Sequence, residues 1–587
     1  MPRAVREDDA RDAVEGTRGG ISESSRCPAV RREFGTNGHG TKRGFGTQEF
    51  DTAGKTRADS DPIEKAPEKR ELLVNPGVCE RPSRTTNAPP MQALPATDGG
   101  FAPRDADDGS WASSFASRVA DLRSEGVTYE DSASFLRALT KSGILRFTDI
   151  RDRPDRFFLA HRLLARHAPE HGPGFWIRFT VQFNLFAGTV VALGGPEHLK
   201  QLDAIQDAGQ LGCFGLTERL AGVNSGLVVN TTARWDPATE TFIINSPNEG
   251  SAKNWISQGL CAEKAVCVAN LTVGQQRCGP HAFLIDLRDP RDGRLAAGIT
   301  VGDMGRKTTG NDLDNAWIEF HDVRVPKSAL LNRYGDVDAR GRYVPAVEGV
   351  RTMDMIGQRL FTGRVAVAQA ALTFTRGLFA ATRAYSDGKR CTMRGDAGQF
   401  LSDVPQLNSL YANVGTQLAS MDAFVAGCEA ELATCLVRRA IPPLDLTRAI
   451  AVAKIRAVET SIASCHALKQ EVGSYALMAG TGFENTDFLQ CCKFAEGDSR
   501  ILSQKLARDA FGEFVKNKGK APRGWSKAEA GACRRVARAV ADATRAGKGK
   551  SAAWDSAWVD VYALADAVCD RVVLERTGGR GGERARL

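Results

Sequence analysis

Two changes in hydrophobic periodicity limit the folds that this chain can adopt. Between residues 111 and 210, apolar side chains recur every three to four positions, which is the period of a helix with one buried face. Residues 211–343 instead contain short β-prone runs separated by turns, and residues 344–515 return to the helical period. This order predicts an α+β protein with an N-terminal α-helical domain, a central β-domain and a C-terminal helical bundle.

Residues 1–110 differ from the rest of the chain in composition. They are rich in Arg, Asp, Glu, Gly, Pro and Thr, and their few aromatic residues follow neither a helical nor a strand period. Such a segment cannot bury enough apolar surface to offset the entropy lost on ordering, so we expect a disordered leader. Its many acidic residues argue against an organelle transit peptide, because transit peptides are poor in acidic residues.

The bulk composition is that of a soluble globular protein, with 587 residues, 42% hydrophobic and 25% charged. The fourteen cysteines are scattered, which fits reduced thiols in an intracellular compartment. The eight histidines have no metal-type spacing, and no run approaches the roughly eighteen apolar residues of a membrane span, so we expect neither a metal site nor a span. The net charge of +8 fits an ordinary solvated surface or an anionic ligand such as a CoA nucleotide.

The stretch Leu211–Gly226 has the features of a ligand-binding loop. An apolar, β-prone run leads directly to Thr217 and Glu218. The turn Gly222–Gly226 follows, and glycines at its ends allow backbone N–H groups to approach a bound ligand closely. A planar cofactor could be held in this way without a glycine-rich loop at the start of a helix.

The residues after this stretch predict a hairpin and a second polar segment. Leu227–Arg234 is expected to form a strand, and Thr241–Asn245 the returning strand after a turn. Lys253–Ser257 then supplies an aromatic plane and a hydroxyl within five residues. These patterns predict a β-domain with a flat, partly polar ligand site.

Two of these segments resemble known flavin-binding sequences. GCFGLTERLAGVNSG resembles the flavin-contacting segment of the acyl-CoA dehydrogenase and oxidase superfamily, and KNWIS resembles its second flavin segment. GITVGDMG at Gly298–Gly305 and VRVPKSALLNRY at Val323–Tyr334 look like the peroxisomal acyl-CoA oxidases. The resemblance implies a central β-barrel or sandwich that binds FAD. The residues it implies in this domain are Phe214, Leu216, Thr217, Gly222, Val223, Asn224, Trp255 and Ser257.

Two turns of the predicted bundle carry the same resemblance. Lys389 and Arg390 resemble the basic turn that, in this family, reaches the flavin pyrophosphate of a neighbouring subunit, which implies a homodimer. The family's R-x-x-F reads Lys-Arg-Cys-Thr here. Gly480 and Gly482 resemble the Gly-Gly-x-Gly-Tyr turn that closes over the cofactor. From the residues alone, the first turn is equally a surface charge pair and the second a helix stop with a left-handed glycine.

Glu496 is the candidate general base. The segment Lys493–Asp498, KFAEGD, is predicted to open a helix, and it resembles the family's Phe-x-Glu-Gly-Asp/Glu motif, which carries the catalytic carboxylate. Without the motif, Glu496 could be a carboxylate that only complements a helix dipole, and Glu484 is a competing base. The interval between the glycine turn and Glu496 is shorter than in the family, so no preference for acyl chain length is carried over.

Residues 516–587 are expected to form a partial second helical region, with helices over Lys527–Arg545 and Trp554–Leu574, and a targeting tail. The first helix is basic, but no interleaved aromatics or reading motif indicate nucleic-acid binding, so a solvated face is preferred. Ala585–Leu587 resembles the small-basic-Leu tripeptide that the peroxisomal import receptor reads. The tail therefore implies a peroxisomal location.

Taken as a whole, the resemblance implies an acyl-CoA oxidase. Such an enzyme uses FAD to oxidise acyl-CoA to trans-2-enoyl-CoA and passes the electrons to molecular oxygen, giving hydrogen peroxide in the first step of fatty acid β-oxidation. Two alternatives stay open on the sequence. One is a dehydrogenase that is reoxidised by an electron-transfer flavoprotein, and the other is a non-catalytic relative that keeps the fold.

Overall fold

The computed structural model describes residues 106–578 except 124–125, 127, 167–171, 223–224, 226–227, 290, 347–351 and 394–395. The predicted leader therefore lies outside the described residues up to residue 105, and so do Val223, Asn224 and the tripeptide Ala585–Leu587. The first helix begins at Ala106, slightly before the predicted end of the leader at residue 110.

The N-terminal region is a set of helices that surround aromatic side chains. The helices are α1 (Ala106–Leu122), α2 (Tyr129–Lys141), α3 (Asp149–Asp152), α4 (Pro154–Arg166), α5 (Pro173–Thr180), a π-helix (Val181–Ala187), α6 (Gly188–Leu193) and α7 (Pro196–Asp207). Phe135 on α2 stacks on Phe175 on α5, with ring centroids 4.2 Å apart. Thr128 and Asp131 form a capping box that starts α2.

The strands of the central region are β1 (Gly212–Gly215), β2 (Thr232–Asp236), β3 (Thr241–Asn245), β4 (Lys253–Ser257), β5 (Lys264–Val273), β6 (Gln276–Asp286), β7 (Ile299–Asp303), β8 (Asn315–Phe320), β9 (Val323–Pro326), β10 (Gly335–Val337) and β11 (Tyr343–Pro345). In a six-stranded sheet, β5 pairs antiparallel with β6 and in parallel with β1 and β2. β3 and β9 extend this sheet beyond β2, while β4, β8 and β7 form a second, three-stranded sheet.

The predicted hairpin is present as β2 and β3, but its first strand starts later than expected. The structure begins β2 at Thr232 rather than at Leu227. The backbone N–H groups of Asn230 and Thr231 instead donate to the carboxylate of Glu218, at 2.6 and 2.9 Å. The Glu218 carboxylate thus accepts the backbone N–H groups that would have paired with a neighbouring strand if β2 were longer.

The C-terminal part is helical. Its elements are α8 (Thr352–Gly388), the hairpin strands β12 (Arg390–Met393) and β13 (Asp396–Phe400), α9 (Pro405–Arg438), α10 (Leu444–Val472), α11 (Phe488–Phe494), α12 (Ser499–Lys516), α13 (Lys527–Arg545), α14 (Lys550–Ser556) and α15 (Trp558–Thr577). Helices α8, α9 and α10 pack on one another. Helix α15 packs on α12 and α13, and the buried Glu529 of α13 is paired with Arg571 of α15 at 2.7 Å.

Among the residues that the structure describes, two helical segments are long and apolar enough to cross a membrane by length and composition alone. They are Pro173–Leu193 and Met355–Gly388, and 83% and 72% of their apolar windows are buried inside the protein. The helices at the core of a soluble protein pass the same test. The buried apolar side chains of the helices and the sheets form one continuous cluster, so these two segments are part of the core.

Candidate active site

The two flavin-like segments lie next to each other in the central region. The backbone N–H of Asn254 donates to the carbonyl of Thr217 at 2.9 Å, so the end of β1 runs beside β4. This contact places the segment that carries Leu216 and Thr217 beside the strand that carries Trp255 and Ser257. Phe214 on β1 is buried, Leu216 is half-buried and Thr217 is exposed.

A fully buried ion pair fixes this junction. The ammonium of Lys253 lies 2.9 Å from the carboxylate of Glu218 and also donates to the carbonyl of Val268 at 2.7 Å. Glu218 in turn accepts the N–H groups of Asn230 and Thr231. The pair therefore closes the base of the loop that carries Gly222, and neither charge is available to a ligand.

Trp255 has an unusual conformation for a strand residue. Its φ is +57°, and its side chain is 56% exposed. The pairing of β4 with β8 is irregular between Lys253 and Ile256, which allows this backbone conformation. A large exposed aromatic on a strained backbone is a common feature of ligand sites. Ser257 follows on the same strand, and its hydroxyl accepts a hydrogen bond from Asn315 at 3.1 Å.

The turn predicted to approach the ligand is described only in part. The N–H of Gly222 donates to the hydroxyl of Ser225 at 2.8 Å, and both residues are exposed. Val223 and Asn224 lie outside the described residues. The described part is a local turn that keeps a polar backbone at the surface, shortly after Thr217 and Glu218 in the chain.

The other predicted cofactor residues lie at the far end of α8. Lys389 and Arg390 follow this helix directly and are exposed, and the Arg390 guanidinium lies 5.0 Å from the centroid of the Phe400 ring. Gly480 and Gly482 have φ values of +83° and +87°, as expected for left-handed glycines.

Ring stacking connects these two turns to each other. Tyr385 of α8 stacks on Tyr475, which precedes the glycine turn, with ring centroids 3.6 Å apart. This group lies on α8 and in the turn after α10, whereas Thr217, Trp255 and Ser257 lie on or beside the strands of the central region. The predicted cofactor residues therefore form two separate groups within one chain.

Glu496 lies in the link between two helices. Helix α11 ends at Phe494 and α12 begins at Ser499, so the helix predicted from this segment is present but starts after Glu496. Asp498 is the N-cap of α12, and its side chain accepts the N–H of Arg500 at 2.6 Å. The carboxylate that complements the helix dipole is thus Asp498 rather than Glu496.

The environment of the Glu496 side chain favours a proton-transfer role. The side chain is 7% exposed, and burial raises the pKa of Glu496 to about 7. A hydrogen bond from Asn184 and the charges of Arg364 and Lys454 partly offset this effect of burial on the pKa. Oε1 accepts the amide of Asn184 at 3.2 Å, whereas Oε2 is buried without a partner. A carboxylate that titrates near neutral pH and has a free oxygen is suited to general-base catalysis.

Two cations hold the backbone of this link. Nε of Arg364 donates to the carbonyl of Glu496 at 3.0 Å. The fully buried Lys454 donates to the carbonyls of Lys493 and Gly497 and to the hydroxyl of Ser499. These bonds fix the left-handed backbone of Glu496, whose φ is +56°. Burial also lowers the pKa of Lys454 to about 7.

Glu484, the competing base, has a different environment. Its side chain is exposed and accepts the N–H of Gly480 at 2.7 Å, so it caps the glycine turn. A solvated carboxylate that is already bonded to its own turn has a structural explanation. The geometry therefore favours Glu496 over Glu484.

Sequence reasoning missed the residues that surround Glu496: Asn184, Gly363, Arg364 and Lys454. One signal was present for Lys454, since it interrupts the apolar stripe of α10 with a charge on a buried face. Asn184 lies in the π-helix, and the hydrophobic periodicity of the sequence does not predict a π-helix at this position. Among the described residues, no group of three His, Cys, Asp or Glu side chains could hold a metal ion.

Comparison with solved structures identifies the fold. Acyl-CoA oxidase 1 from Yarrowia lipolytica superposes with a TM-score of 0.66 at 19% identity, covering 81% of this chain and 76% of that one. Acyl-CoA oxidase-2 from Caenorhabditis elegans, solved with FAD, ascaroside-CoA and ATP, superposes with a TM-score of 0.65 at 18% identity, covering 81% and 77%. The predicted fold class is confirmed: the chain has the fold of the acyl-CoA dehydrogenase and oxidase superfamily.

The sequence relatives have the same name. Peroxisomal acyl-coenzyme A oxidase 3 from Homo sapiens is 41% identical over 192 residues, which is 32% of this chain and 27% of that protein. Acyl-coenzyme A oxidase 2, peroxisomal, from Arabidopsis thaliana is 32% identical over 243 residues, or 40% of this chain and 34% of that protein. The matches thus span about a third or less of those relatives, and no family model matches the chain. The resemblance to acyl-CoA oxidases predicted from the sequence is confirmed.

Proposed function

We propose that this protein is a peroxisomal acyl-CoA oxidase, which uses FAD to oxidise acyl-CoA to trans-2-enoyl-CoA and transfers the electrons to oxygen. The observation that carries the proposal is the Glu496 carboxylate, which is buried, has a pKa of about 7 and keeps one oxygen without a partner. The fold and the sequence relatives named acyl-CoA oxidase support the same reaction.

The residues of this chain fit a flavin cofactor. Trp255 offers an exposed aromatic face, and the hydroxyls of Thr217 and Ser257 lie on the same two adjoining segments. Related solved structures contain FAD, which supports the choice of flavin. Bound there, FAD would accept hydride from the acyl β-carbon and would then be reoxidised by molecular oxygen, giving hydrogen peroxide.

In this proposal, Glu496 removes a proton from the α-carbon of the acyl thioester. The C–H bond breaks, its proton bonds to the carboxylate, and its electron pair stays with the substrate. The α-carbon of a thioester is only weakly acidic, so the base must be ionised and close to it. Burial raises the pKa of Glu496 towards the pH of the reaction, which makes the carboxylate a stronger base once it is ionised.

The separation of the two groups of cofactor residues supports a homodimer. Lys389, Arg390 and the glycine turn lie at the far end of α8, where an exposed cation could meet the pyrophosphate of a FAD held by a second copy. The remaining proposed partners are acyl-CoA, oxygen and the peroxisomal import receptor. The names of the human and Arabidopsis relatives support a peroxisomal location.

The decisive experiment is an assay of the purified full-length chain. We expect a yellow protein with a flavin absorption band that forms hydrogen peroxide and consumes oxygen, in equal amounts, when a panel of straight-chain acyl-CoAs is added without another acceptor. A colourless protein that binds no added FAD would overturn the proposal in favour of a non-catalytic relative.

A dehydrogenase is the second candidate, and one observation favours keeping it. A glutaryl-CoA dehydrogenase from Mycobacterium smegmatis, in complex with FADH2, superposes with a TM-score of 0.53 at 19% identity and is covered over 96% of its length. If acyl-CoA reduces the flavin but oxygen reoxidises it only slowly, while electron-transfer flavoprotein does so rapidly, the protein is a dehydrogenase.

A further inference from the structure

Asn184 donates a hydrogen bond directly to the carboxylate of the proposed base. It lies fully buried in the π-helix, and its amide nitrogen Nδ2 donates to Oε1 of Glu496 at 3.2 Å. The hydroxyl of Thr362 donates to the amide oxygen of Asn184 at 2.6 Å. The three side chains form a chain of hydrogen bonds from α8 through the π-helix to the link before α12.

This chain of hydrogen bonds has one direction. An ionised carboxylate only accepts hydrogen bonds, so the NH2 end of Asn184 must face Glu496. The oxygen end then needs a donor, and the Thr362 hydroxyl supplies it. If the amide turned over, two acceptors would face each other in a buried site, which is costly. The orientation of Asn184 is therefore set from both ends.

Other contacts leave the Glu496 carboxyl little freedom. Arg364 donates a hydrogen bond to the backbone carbonyl of Glu496 and so fixes the backbone at this residue. The carboxyl lies directly against Gly363 of α8, where a Cβ atom would come within 2.1 Å of the Glu496 Cδ. Rotation of the carboxyl about its last bond is the freedom that remains, and the bond from Asn184 restricts it.

The two carboxyl oxygens consequently differ. Oε1 is bonded to Asn184, while Oε2 is buried without a partner. We propose that Asn184 is a positioning residue, which holds Oε1 of Glu496 and leaves Oε2 as the atom that takes the proton from the α-carbon of the substrate. The inference rests on the proposed function above, and it adds which atom reacts and what orients that atom.

Charged groups surround this site on several sides. Arg364 from α8 and Lys454 from α10 influence Glu496, and Asp498 and Cys492 face Lys454 from the N-cap of α12 and from α11. The hydrogen bond from Asn184 stabilises the ionised carboxylate of Glu496 without adding a charge. It therefore lowers the pKa of Glu496, whereas burial raises it. Removing this donor should therefore raise the pKa of Glu496 further.

The first test measures the ionisation of Glu496 without using activity. In protein labelled with 13C at the glutamate side-chain carboxyls, Glu496 is the NMR signal that is lost in Glu496→Gln. We expect its titration midpoint near pH 7 in the wild type, and it should rise by about one unit in Asn184→Leu. Thr362→Val should raise it by less, and Thr362→Ser, which keeps the hydroxyl, should restore the wild-type midpoint. Thr180→Val is the control. It removes another buried hydroxyl, at the end of α5 just before the π-helix that carries Asn184, and it should leave the midpoint unchanged.

The second test separates positioning from ionisation. The rate of flavin reduction at saturating acyl-CoA is measured about two pH units above each variant's own midpoint, where Glu496 is ionised in all of them. A pure change in pKa would disappear there. A misoriented carboxylate would not recover, so Asn184→Leu should stay at least about tenfold slower than wild type.

Two results would overturn the inference. One is a folded Asn184→Leu protein with the wild-type midpoint, and the other is full recovery of its rate at high pH. If Asn184→Leu does not fold, identical midpoints for Thr362→Val and Thr362→Ser would overturn it instead. Failure of the proposed function is recognised separately, because the flavin of the wild-type protein would then stay oxidised with every acyl-CoA.

Discussion

Two buried glutamates of this protein each have a lysine nearby, and their environments differ in one respect. Glu218 in the β-domain is paired with Lys253 at 2.9 Å, and it also accepts the backbone N–H groups of Asn230 and Thr231 and the hydroxyl of Thr231. Glu496 in the bundle lies near Lys454, but that ammonium is bonded to two carbonyls and a hydroxyl of the same link. Lys454 therefore holds the backbone and leaves the carboxylate without an ion-pair partner.

This difference decides what each carboxylate can do. The Glu218 carboxylate is a structural element, because both of its oxygens already accept hydrogen bonds within the protein. Burial without a direct partner raises the pKa of Glu496 to about 7 and leaves Oε2 open. The same pair of residue types thus gives a stable junction in one region and a candidate base in the other.

The largest expected effect concerns the open carboxylate. Glu496→Gln keeps the size and the bond to Asn184 but cannot accept the α-proton. Flavin reduction by saturating acyl-CoA should slow by about a hundredfold to ten-thousandfold, while the protein stays folded and yellow. Stopped-flow absorbance of the flavin measures this rate.

Glu484→Gln is the matched control. Glu484 is an exposed glutamate that, like Glu496, precedes α12 in the sequence. Its rate should stay close to the wild-type value. If the Glu484 variant loses flavin reduction while the Glu496 variant keeps it, the assignment of the base is wrong.

The second prediction breaks the paired carboxylate. Lys253→Met removes the ammonium and leaves Glu218 buried with its charge uncompensated, so the free energy of unfolding should fall by about 3–5 kcal/mol. The double change Lys253→Met with Glu218→Gln should recover part of this loss. Urea unfolding followed by circular dichroism measures both. A loss below about 1 kcal/mol would show that the pair does not hold the junction.

The sequence predicts the role of Glu496 better than that of Glu218, and the reason is physical. Glu496 is predicted as the base because its motif resembles a known family, and the structure adds its burial and its neighbours. Glu218 lies in the predicted ligand-binding stretch, yet its partner Lys253 is 35 residues away in the chain. Local periodicity cannot report a pairing that depends on how β1 and β4 come together. The same limit explains why Asn184, 312 residues from Glu496, was missed.

The helical fold was more predictable, because burial follows the period of the chain. Helix α13 has the bounds Lys527–Arg545 that the pattern indicated, and Ser526 caps it by accepting the N–H of Glu529 at 3.0 Å. The next helix was expected from Trp554 but begins at Trp558, after the short helix α14. Hydrophobic periodicity predicts that a helix exists, but it does not locate such a break.

The third prediction uses the pH dependence of stability. The pKa of Glu496 is raised from 4.5 to about 7 on folding, so the folded state binds more protons than the unfolded state between these values. The contribution of Glu496 to stability is therefore greatest at low pH and is lost as pH rises through about 7. Relative to Glu496→Gln, the wild type should lose about 2 kcal/mol of unfolding free energy between pH 5 and pH 8.

Urea unfolding of both proteins at the two pH values measures this difference. Comparing the wild type with a single variant cancels the titration of all other groups to first order. A wild type that does not lose stability relative to the variant would mean that Glu496 is ionised at low cost.

The smallest expected effect extends the comparison to exposed charges. Lys389 is exposed, while Arg390 donates to the carbonyl of Gly398 at 3.0 Å and stacks on Phe400, so Lys389 is the freer cation. If these charges meet the FAD pyrophosphate of a second copy, Lys389→Glu with Arg390→Glu should weaken FAD binding by about tenfold, since exposed ion pairs contribute little each. Lys520→Glu reverses another exposed cation, on the connector after α12, and should leave FAD affinity unchanged. Equilibrium dialysis of FAD, with sedimentation to record the oligomeric state, compares the variants. Equal FAD affinity in all three proteins would remove the inter-subunit contact from the proposal while leaving the role of Glu496 intact.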